Sequence, residues 1–299
     1  MGISRRSALK ALVTAGSASA AAALPNLTAD AAVLPAPRPD AVGLLYDATL
    51  CIGCKACVVA CADANNLQRD TAWSDGKWQA PLDLNANTKN IIKLYEDGSQ
   101  SSFVKQQCMH CLDPACANAC MLGALKKTEF GIVSYDPTYC VGCRYCEMAC
   151  PFNVPKFEWT NAFTPKIVKC ELCRHRLAEG KEPACTEVCP RRAVIFGKRA
   201  DLLKEAHRRI DTAERGRYIN HVYGETEAGG TQCLYLSHVP FDKIGLPDYG
   251  PVPIPNTQRT LQHGIYRGFV APMVLYGALA AVMIRNRKAS ASANSEEAA

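Results

Sequence analysis

The sequence has 299 residues, seventeen cysteines, only 7% aromatic residues and a net charge of +6 at neutral pH. Its two ends, residues 1–31 and 285–299, supply about half of that charge, and no basic stripe interleaved with aromatic residues is present. The charge therefore gives no support for nucleic-acid binding. The length allows one or two domains, and cysteines that bind metal clusters would replace part of the hydrophobic core.

The first 31 residues are predicted to be a twin-arginine signal peptide. Arg5 and Arg6 precede a weakly apolar Ala/Gly/Ser run over 11–24, and Ala29-Asp30-Ala31 offers a cleavage site. Twin-arginine export moves proteins that have already folded. The mature protein is therefore expected at the periplasmic face of a bacterial inner membrane.

Sixteen of the seventeen cysteines fall into four groups of four along the chain. Groups three and four are each followed directly by a proline. In chain order the groups are Cys51, Cys54, Cys57 and Cys61; Cys108, Cys111, Cys116 and Cys120; Cys140, Cys143, Cys146 and Cys150; and Cys170, Cys173, Cys185 and Cys189.

The spacing within groups one and three, C-x2-C-x2-C-x3-C, is the run that holds [4Fe–4S] clusters in bacterial ferredoxins. Three cysteines two residues apart can bind three irons of one cubane, whereas the fourth points away and binds a neighbouring cluster. Sixteen thiolates at four per cluster predict four [4Fe–4S] clusters with all sixteen cysteines as iron ligands. The spacing does not identify which groups exchange their fourth cysteine.

Four zinc sites or a set of disulfides would use the same thiols. Zinc sites usually combine C-x2-C pairs separated by a longer loop, in which a third cysteine two residues on has no role. Disulfides suit an exported protein, but cysteines in a C-x2-C-x2-C run compete for partners. The spacing favours iron–sulfur clusters over both. Cys233, outside the groups, is expected to be a buried structural thiol.

An internal repeat indicates duplicated structural units. The motif Tyr-Asp-x-Thr-x-Cys at 46–51 recurs at 135–140, and Pro-Ala-Cys at 114–116 recurs at 183–185. The predicted fold class is α+β, with duplicated two-cluster bacterial-ferredoxin-like units, insertions and one C-terminal transmembrane helix. Further elements predicted from the residue pattern are a hairpin from 91–95 to 103–105, strands over 131–135, 193–196 and 234–236, and a helix over 201–210.

The C-terminal part carries a predicted membrane anchor. The four-cluster body is expected over 42–239, followed by a proline-rich extended tether over 240–264. Residues 265–284 contain a single charged side chain and are just long enough to cross a bilayer as a helix. The basic residues that follow predict a cytoplasmic tail over 285–299. A buried core helix is the alternative for the apolar stretch.

No catalytic site is visible in the sequence. The six histidines show no metal-ligand spacing. His110 lies inside a cysteine loop, where it either hydrogen-bonds beside a cluster or faces solvent. The chain is therefore expected to transfer electrons between two sites rather than to supply the chemistry at either of them.

The segments around the cysteines resemble the HybA-type iron–sulfur subunit of membrane-bound [NiFe] hydrogenases. The wider family includes the iron–sulfur subunits of DMSO reductases, polysulfide reductases and formate dehydrogenases. The resemblance covers nearly the whole chain, including the twin-arginine start and the C-terminal anchor. Its most specific segments are Lys-Gln-Gln-Cys-Met-His-Cys at 105–111, Gly-Cys-Arg-Tyr-Cys at 142–146, Ala-Cys-Pro-Phe-Asn-Val-Pro-Lys at 149–156 and Lys-Cys-Glu-Leu-Cys at 169–173.

This resemblance implies an electron conduit. Electrons would come from the small subunit of a [NiFe] hydrogenase, itself paired with a large subunit, and pass to an integral membrane subunit that reduces quinone. The alternative is the same role in a molybdopterin oxidoreductase complex. The resemblance also implies four ligand sets: Cys51, Cys54, Cys57 and Cys189; Cys170, Cys173, Cys185 and Cys61; Cys108, Cys111, Cys116 and Cys150; and Cys140, Cys143, Cys146 and Cys120.

Overall fold

Five stretches of the chain are described by the computed structural model: residues 38–68, 83–98, 100–161, 165–256 and 272–285. The chain divides into two units, Leu34–Pro255 and a second made of Met1–Val33 with Asn256–Ala299. All seventeen cysteines lie in the described part of the first unit. The predicted signal peptide lies outside the described residues.

Short helices and strands alternate through the first unit. In chain order they are β1 (Val42–Asp47), α1 (Ala56–Ala64), β2 (Asn90–Asp97), β3 (Gln100–Gln107), α2 (Ala115–Asn118), β4 (Leu125–Lys127), β5 (Val133–Tyr135), a 3-10 turn (Pro137–Tyr139), α3 (Tyr145–Ala149), β6 (Lys156–Phe157), β7 (Ile167–Val168), α4 (Arg174–Ala178), α5 (Ala184–Glu187), β8 (Val194–Lys198), α6 (Arg199–Thr212), a 3-10 turn (Glu227–Gly229) and β9 (Cys233–Leu236).

A three-stranded sheet has β1 at its centre. β8 pairs with β1 antiparallel and β9 pairs with it parallel. Because side chains of a strand alternate between its two faces, Tyr46 packs into the core that holds most of the buried cysteines, whereas Leu45 faces a second core. Tyr46 is opposite Val194 in register. The sheet therefore brings the start of group one beside the end of group four.

Helix α6 covers the other face of this sheet. Leu202 and Ala206, one helical turn apart, are buried in the second core with Leu45, Leu234 and Leu236. The predicted helix over 201–210 is confirmed, and it begins two residues earlier and ends two residues later. The predicted strand over 234–236 is confirmed within β9, and the one predicted over 193–196 is confirmed from Val194, where β8 begins.

Three two-stranded hairpins complete the described sheets: β2–β3, β4–β5 and β6–β7. The predicted hairpin from 91–95 to 103–105 is confirmed and longer than expected, with Ile92 opposite Lys105. The strand predicted over 131–135 begins only at Val133, because Gly131 adopts a left-handed turn conformation with φ of +74°.

The segment 240–255 does not run as the extended tether that its prolines predict. Phe241, Ile244 and Leu246 are buried in the main core. The Tyr223 hydroxyl donates to the Pro247 carbonyl at 2.6 Å. These apolar anchors outweigh the tendency of proline to keep a chain extended, so this part packs on the body. Residues 257–264 of the predicted tether lie outside the described residues.

In the second unit, residues 272–285 form a helix whose side chains are all exposed. Within the part of the chain that the structure describes, no helix combines the length and apolarity needed to cross a membrane. Residues 265–271 of the predicted transmembrane helix lie outside the described residues, as does the tail after Arg285.

Two glycines opposite each other in the sheet should respond differently to a methyl group. In Gly43→Ala, the new Cβ would lie 2.1 Å from the Gln232 carbonyl oxygen, which accepts from the Leu44 N–H. We expect this clash to cost about 1–3 kcal/mol, as overpacking does. In Gly197→Ala, the nearest atom is a Leu202 methyl at 3.5 Å, an ordinary contact.

The measurement is the temperature at which the purified protein unfolds. Gly43→Ala should lower it by several degrees, whereas Gly197→Ala should leave it unchanged or raise it slightly, because glycine is unfavourable inside a strand. Equal losses in both variants would contradict the close approach of β1 to Gln232.

Candidate metal centres

The seventeen cysteines are all free thiols. Sixteen of them meet in four sets, each with three members from one sequence group and one member from another. The first set is built around a cavity beside β1 and β3. Its thiols, which line this cavity, are Cys51, Cys54, Cys57 and Cys189.

The second set joins group four to the end of helix α1. The Cys61 thiol interacts electrostatically with Cys170 and Cys173 of group four. Cys185 interacts in the same way with Cys170 and Cys61. Helix α1 packs against α5, which carries Cys185. Cys57 and Cys61 are four residues apart on α1, yet they serve different sets.

The third and fourth sets exchange cysteines in the same way between groups two and three. The Cys111 thiol interacts electrostatically with Cys108, Cys150 and Cys116. The Cys146 thiol interacts in the same way with Cys120, Cys140 and Cys143. In both sets, the fourth cysteine of one group therefore completes the other group.

Close approaches between sets place them in one linear order. Cys185 of the second set has Cys57 of the first among its neighbours. Cys108 of the third set lies near Cys170 of the second. Cys116 of the third lies near Cys146 of the fourth. The sets thus follow one another as first, second, third and fourth through a single packed unit.

A left-handed residue stands two positions after the first cysteine of every group. These residues are Gly53, His110, Gly142 and Leu172, with φ from +49° to +71°. The turn aims a backbone N–H at the preceding thiol. Gly53 N–H donates to Cys51 Sγ at 3.5 Å, and Leu172 N–H donates to Cys170 Sγ at 3.4 Å. Such bonds favour the charged thiolate, which is the form that binds metal.

The repeated Tyr-Asp-x-Thr-x-Cys motif shapes the approach to two of the groups. The Asp47 carboxylate accepts from the Thr49 N–H at 3.0 Å, and the second copy repeats this bond between Asp136 and Thr138 at 3.0 Å. Each Asp thereby holds a turn that leads into the first cysteine.

The tyrosine of each motif copy lies beside the first thiol of its group, Tyr46 near Cys51 and Tyr135 near Cys140. The Tyr46 hydroxyl donates to the Phe103 carbonyl at 2.7 Å, and the Tyr135 hydroxyl accepts from the Ile167 N–H at 3.2 Å. Burial raises the pKa of the Cys51 thiol, and the nearby Tyr46 hydroxyl opposes that rise. The motif therefore places a polar group beside the first cysteine on each side of the repeat.

Burial dominates the electrostatics of the thiols. It raises the pKa of Cys61 and Cys116 to about 12 and that of Cys108 and Cys146 to about 11, and neighbouring thiols add to the rise. These thiols hold their protons at neutral pH when no metal is bound. Metal binding must therefore release those protons.

Three lysines carry positive charge into this thiol-rich interior. Lys105 and Lys169 are buried, with 0% and 2% of their surface exposed. Lys169 Nζ donates to the carbonyls of Val133 and Cys170, and Lys127 Nζ donates to the Cys111 carbonyl at 3.0 Å. Sequence reasoning did not identify these lysines as site residues, although a lysine at an inward position of an apolar strand is a usable signal.

Of the two alternatives for His110, the solvent-facing position is wrong, because the side chain is fully buried. Its Nδ1 accepts from the Val133 N–H at 3.0 Å, which leaves the proton on Nε2. Burial, with Lys169 and Lys127 nearby, lowers the pKa of His110 well below its ordinary value. The ring is therefore neutral beside the third set.

Cys233 is a buried thiol on β9, as expected. Its Sγ donates to the Cys108 carbonyl at 3.2 Å and accepts from Gln107 Nε2 at 3.6 Å. These bonds anchor β9 to the start of group two. Cys233 is therefore placed as a support for a cysteine loop.

Among the described residues, no three His, Cys, Asp or Glu side chains converge closely enough to hold a single metal ion. A tetrahedral zinc site gathers its thiolates around one ion at about 2.3 Å. In an iron–sulfur cubane each thiolate binds a different iron, so the ligands surround a space rather than a point. The four thiols of the first set line a cavity in this way.

Replacing Cys61 should affect the second set and spare the first. In Cys61→Ser we expect bound iron to fall by about one quarter, because one of four thiol sets loses a thiolate. Iron and labile sulfide per purified chain are the measurement. Cys233→Ser is the matched control, since it removes a buried thiol outside the sets and should leave the iron content unchanged. Loss of iron in both variants alike would contradict the assignment of Cys61 to the second set.

Comparison with known proteins supports 4Fe–4S clusters in this chain. Residues 99–199, which contain groups two, three and four, match the family described as a 4Fe-4S dicluster domain. The hydrogenase-2 operon protein HybA of Escherichia coli O157:H7 is 38% identical over 304 aligned positions, covering 89% of this chain and 91% of that protein.

Two further relatives cover about two thirds of the chain. A protein of Nitratidesulfovibrio vulgaris is 48% identical over 211 positions, 69% of this chain and 57% of its own length. The iron–sulfur subunit of the nitrate-inducible formate dehydrogenase of Escherichia coli K12 is 36% identical over 203 positions, 66% of this chain and 68% of its own length. Because the likeness to HybA extends over nearly the full length of both proteins, the chain belongs to the HybA-type family of 4Fe–4S ferredoxin-like subunits.

Proposed function

We propose that this chain is the electron-transfer subunit of a hydrogenase complex. It carries electrons from a [NiFe] hydrogenase, made of a small and a large subunit, to an integral membrane subunit that reduces quinone. The observation that carries this proposal is the linear series of four thiol sets within one packed unit. Electron transfer between two distant sites requires a series of redox groups in which each lies close to the next.

Each thiol set is the proposed ligand set of one [4Fe–4S] cluster. The residues fit that group: four thiols line one cavity, and backbone N–H groups point at ligand sulfurs. When bound, the clusters supply one-electron transfer. The chain's own residues hold the thiolates apart at the right spacing, exclude water and supply hydrogen bonds and positive charge.

The hydrogenase reading is favoured over a molybdopterin oxidoreductase by the extent of similarity. HybA matches 89% of this chain, whereas the formate dehydrogenase iron–sulfur subunit matches 66%. One observation supports the molybdopterin hypothesis, because the formate dehydrogenase subunit is 36% identical across the matched part. Both readings assign electron transfer to this chain and differ in the enzyme that supplies the electrons.

The proposed location is the periplasmic face of the bacterial inner membrane. A twin-arginine signal over 1–31 would export the folded protein, and a helix over 265–284 would anchor it with the tail inside. Support comes from the helix at 272–285, which exposes large apolar side chains such as Met273 (71%) and Tyr276 (71%). Apolar side chains in that number favour contact with lipid or with a membrane subunit.

Purified protein should contain about sixteen irons and about sixteen labile sulfides per chain, as four cubanes require. The reason is the number of complete thiol sets. Iron, sulfide and zinc analysis of the same sample is the measurement. Stoichiometric zinc without labile sulfide would overturn the cluster assignment.

Membranes that lack this chain should still oxidise hydrogen with a viologen dye but should lose hydrogen-dependent quinone reduction. The dye takes electrons directly from the hydrogenase, whereas quinone needs the conduit. Paired assays on such membranes, with the hydrogenase subunits quantified, test the proposal. Loss of both activities with hydrogenase still assembled would contradict it. If both dye reduction and quinone reduction persist, the molybdopterin hypothesis would be favoured instead.

A further inference from the structure

Lys105 lies in the interior of the protein without a hydrogen-bond partner among the described residues. It belongs to β3, in which Val104, Lys105 and Gln107 are all buried. Its side chain is 0% exposed, and Nζ donates no hydrogen bond within the described part of the chain. A buried ammonium group in this condition is unfavourable unless nearby negative charge offsets the loss of water.

Lys105 lies beside cysteines of two different thiol sets. It lines the cavity of the first set. It also interacts electrostatically with Cys61, Cys170 and Cys185 of the second set. A cluster bound in either set would bring net negative charge next to this buried ammonium group, which offsets its loss of water.

We propose that Lys105 is a fixed positive charge shared by the clusters of the first and second thiol sets, and that it raises the reduction potential of both. This inference rests on the proposed binding of clusters. Four thiolates give each cluster a net negative charge, and reduction adds one electron with no bond made or broken. A nearby cation stabilises the reduced, more negative state more than the oxidised state, and net charge is one of the properties that set cluster potentials.

Both sets should respond. Lys105 lines the cavity of the first set and interacts with Cys61, Cys170 and Cys185 of the second. Lys169 differs, because its ammonium group already bonds to two backbone carbonyls. Lys105 has no such bonds among the described residues, so its interaction with the clusters is less shielded by local dipoles.

The test is a redox titration of the cluster-loaded full chain, followed by electron paramagnetic resonance with dithionite as reductant. In Lys105→Met, which keeps the length of the side chain and removes its charge, two of the four potentials should fall. For the more affected cluster we expect about a tenfold lower ratio of reduced to oxidised form at a fixed potential, which is about 59 mV for one electron. The other two potentials should not move.

Lys126→Met is the matched control, since it removes the same charge from an exposed position on β4. It should leave all four potentials unchanged. Unchanged potentials in a fully loaded Lys105→Met protein would overturn the proposal, and so would equal shifts in all four clusters or equal shifts in the control.

Loss of clusters in Lys105→Met is resolved by Lys105→Arg, which keeps the charge. Wild-type cluster content and potentials in the arginine variant would support the role of the charge. If both variants lack the same clusters, the shape of the side chain matters rather than its charge, and the proposal is wrong. The iron and sulfide content of the unmodified protein distinguishes failure of the proposed function from failure of this inference. Absence of iron and sulfide would overturn the proposed function. Unchanged potentials in the Lys105→Met protein would overturn only the role of the Lys105 charge.

Discussion

The central constraint on this molecule is the burial of many thiols that must become thiolates when metal binds. Burial opposes that charge, as the pKa of about 12 for Cys61 and Cys116 shows. Around these thiols the fold places left-handed turns that aim N–H groups at sulfur, and buried lysines. Each of these groups stabilises the negative charge of a thiolate where water has no access. The local backbone conformations therefore serve to stabilise the thiolates.

The exchange of the fourth cysteine makes the site and the fold depend on each other. Cys189 reaches the first set because β8 runs antiparallel to β1, with Val194 opposite Tyr46. Cys61 reaches the second set because α1 packs on α5. A bound cluster would thus tie together segments more than a hundred residues apart, which a small hydrophobic core alone would do weakly. Much of the stability of the first unit should therefore depend on the clusters.

The sequence predicts the local parts of this arrangement well and the long-range parts less well. The cysteine spacing, the hairpin and helix α6 are determined by neighbours in the chain, so their residue pattern is sufficient. Segment 240–255 was predicted as a tether because proline dominates its composition, whereas three buried apolar side chains decide its packing. The proposed role of Lys105 could not be predicted from the sequence either. Its partners come from groups one and four, and the spacing of the cysteines does not predict that these two groups lie close together.

The solvent exposure of the thiols differs along the series of sets, in a way that suits a conduit whose end carriers meet partner proteins. Cys54 of the first set and Cys143 of the fourth are exposed, whereas all four thiols of the second set are buried. The end sets are therefore accessible to partner proteins, and the second set can exchange electrons only with its neighbours. A buried negative cluster would be hard to reduce, because an added electron meets a medium of low polarity. Lys105 lies at that point in the series, beside the most deeply enclosed thiols, where a compensating charge has the largest effect.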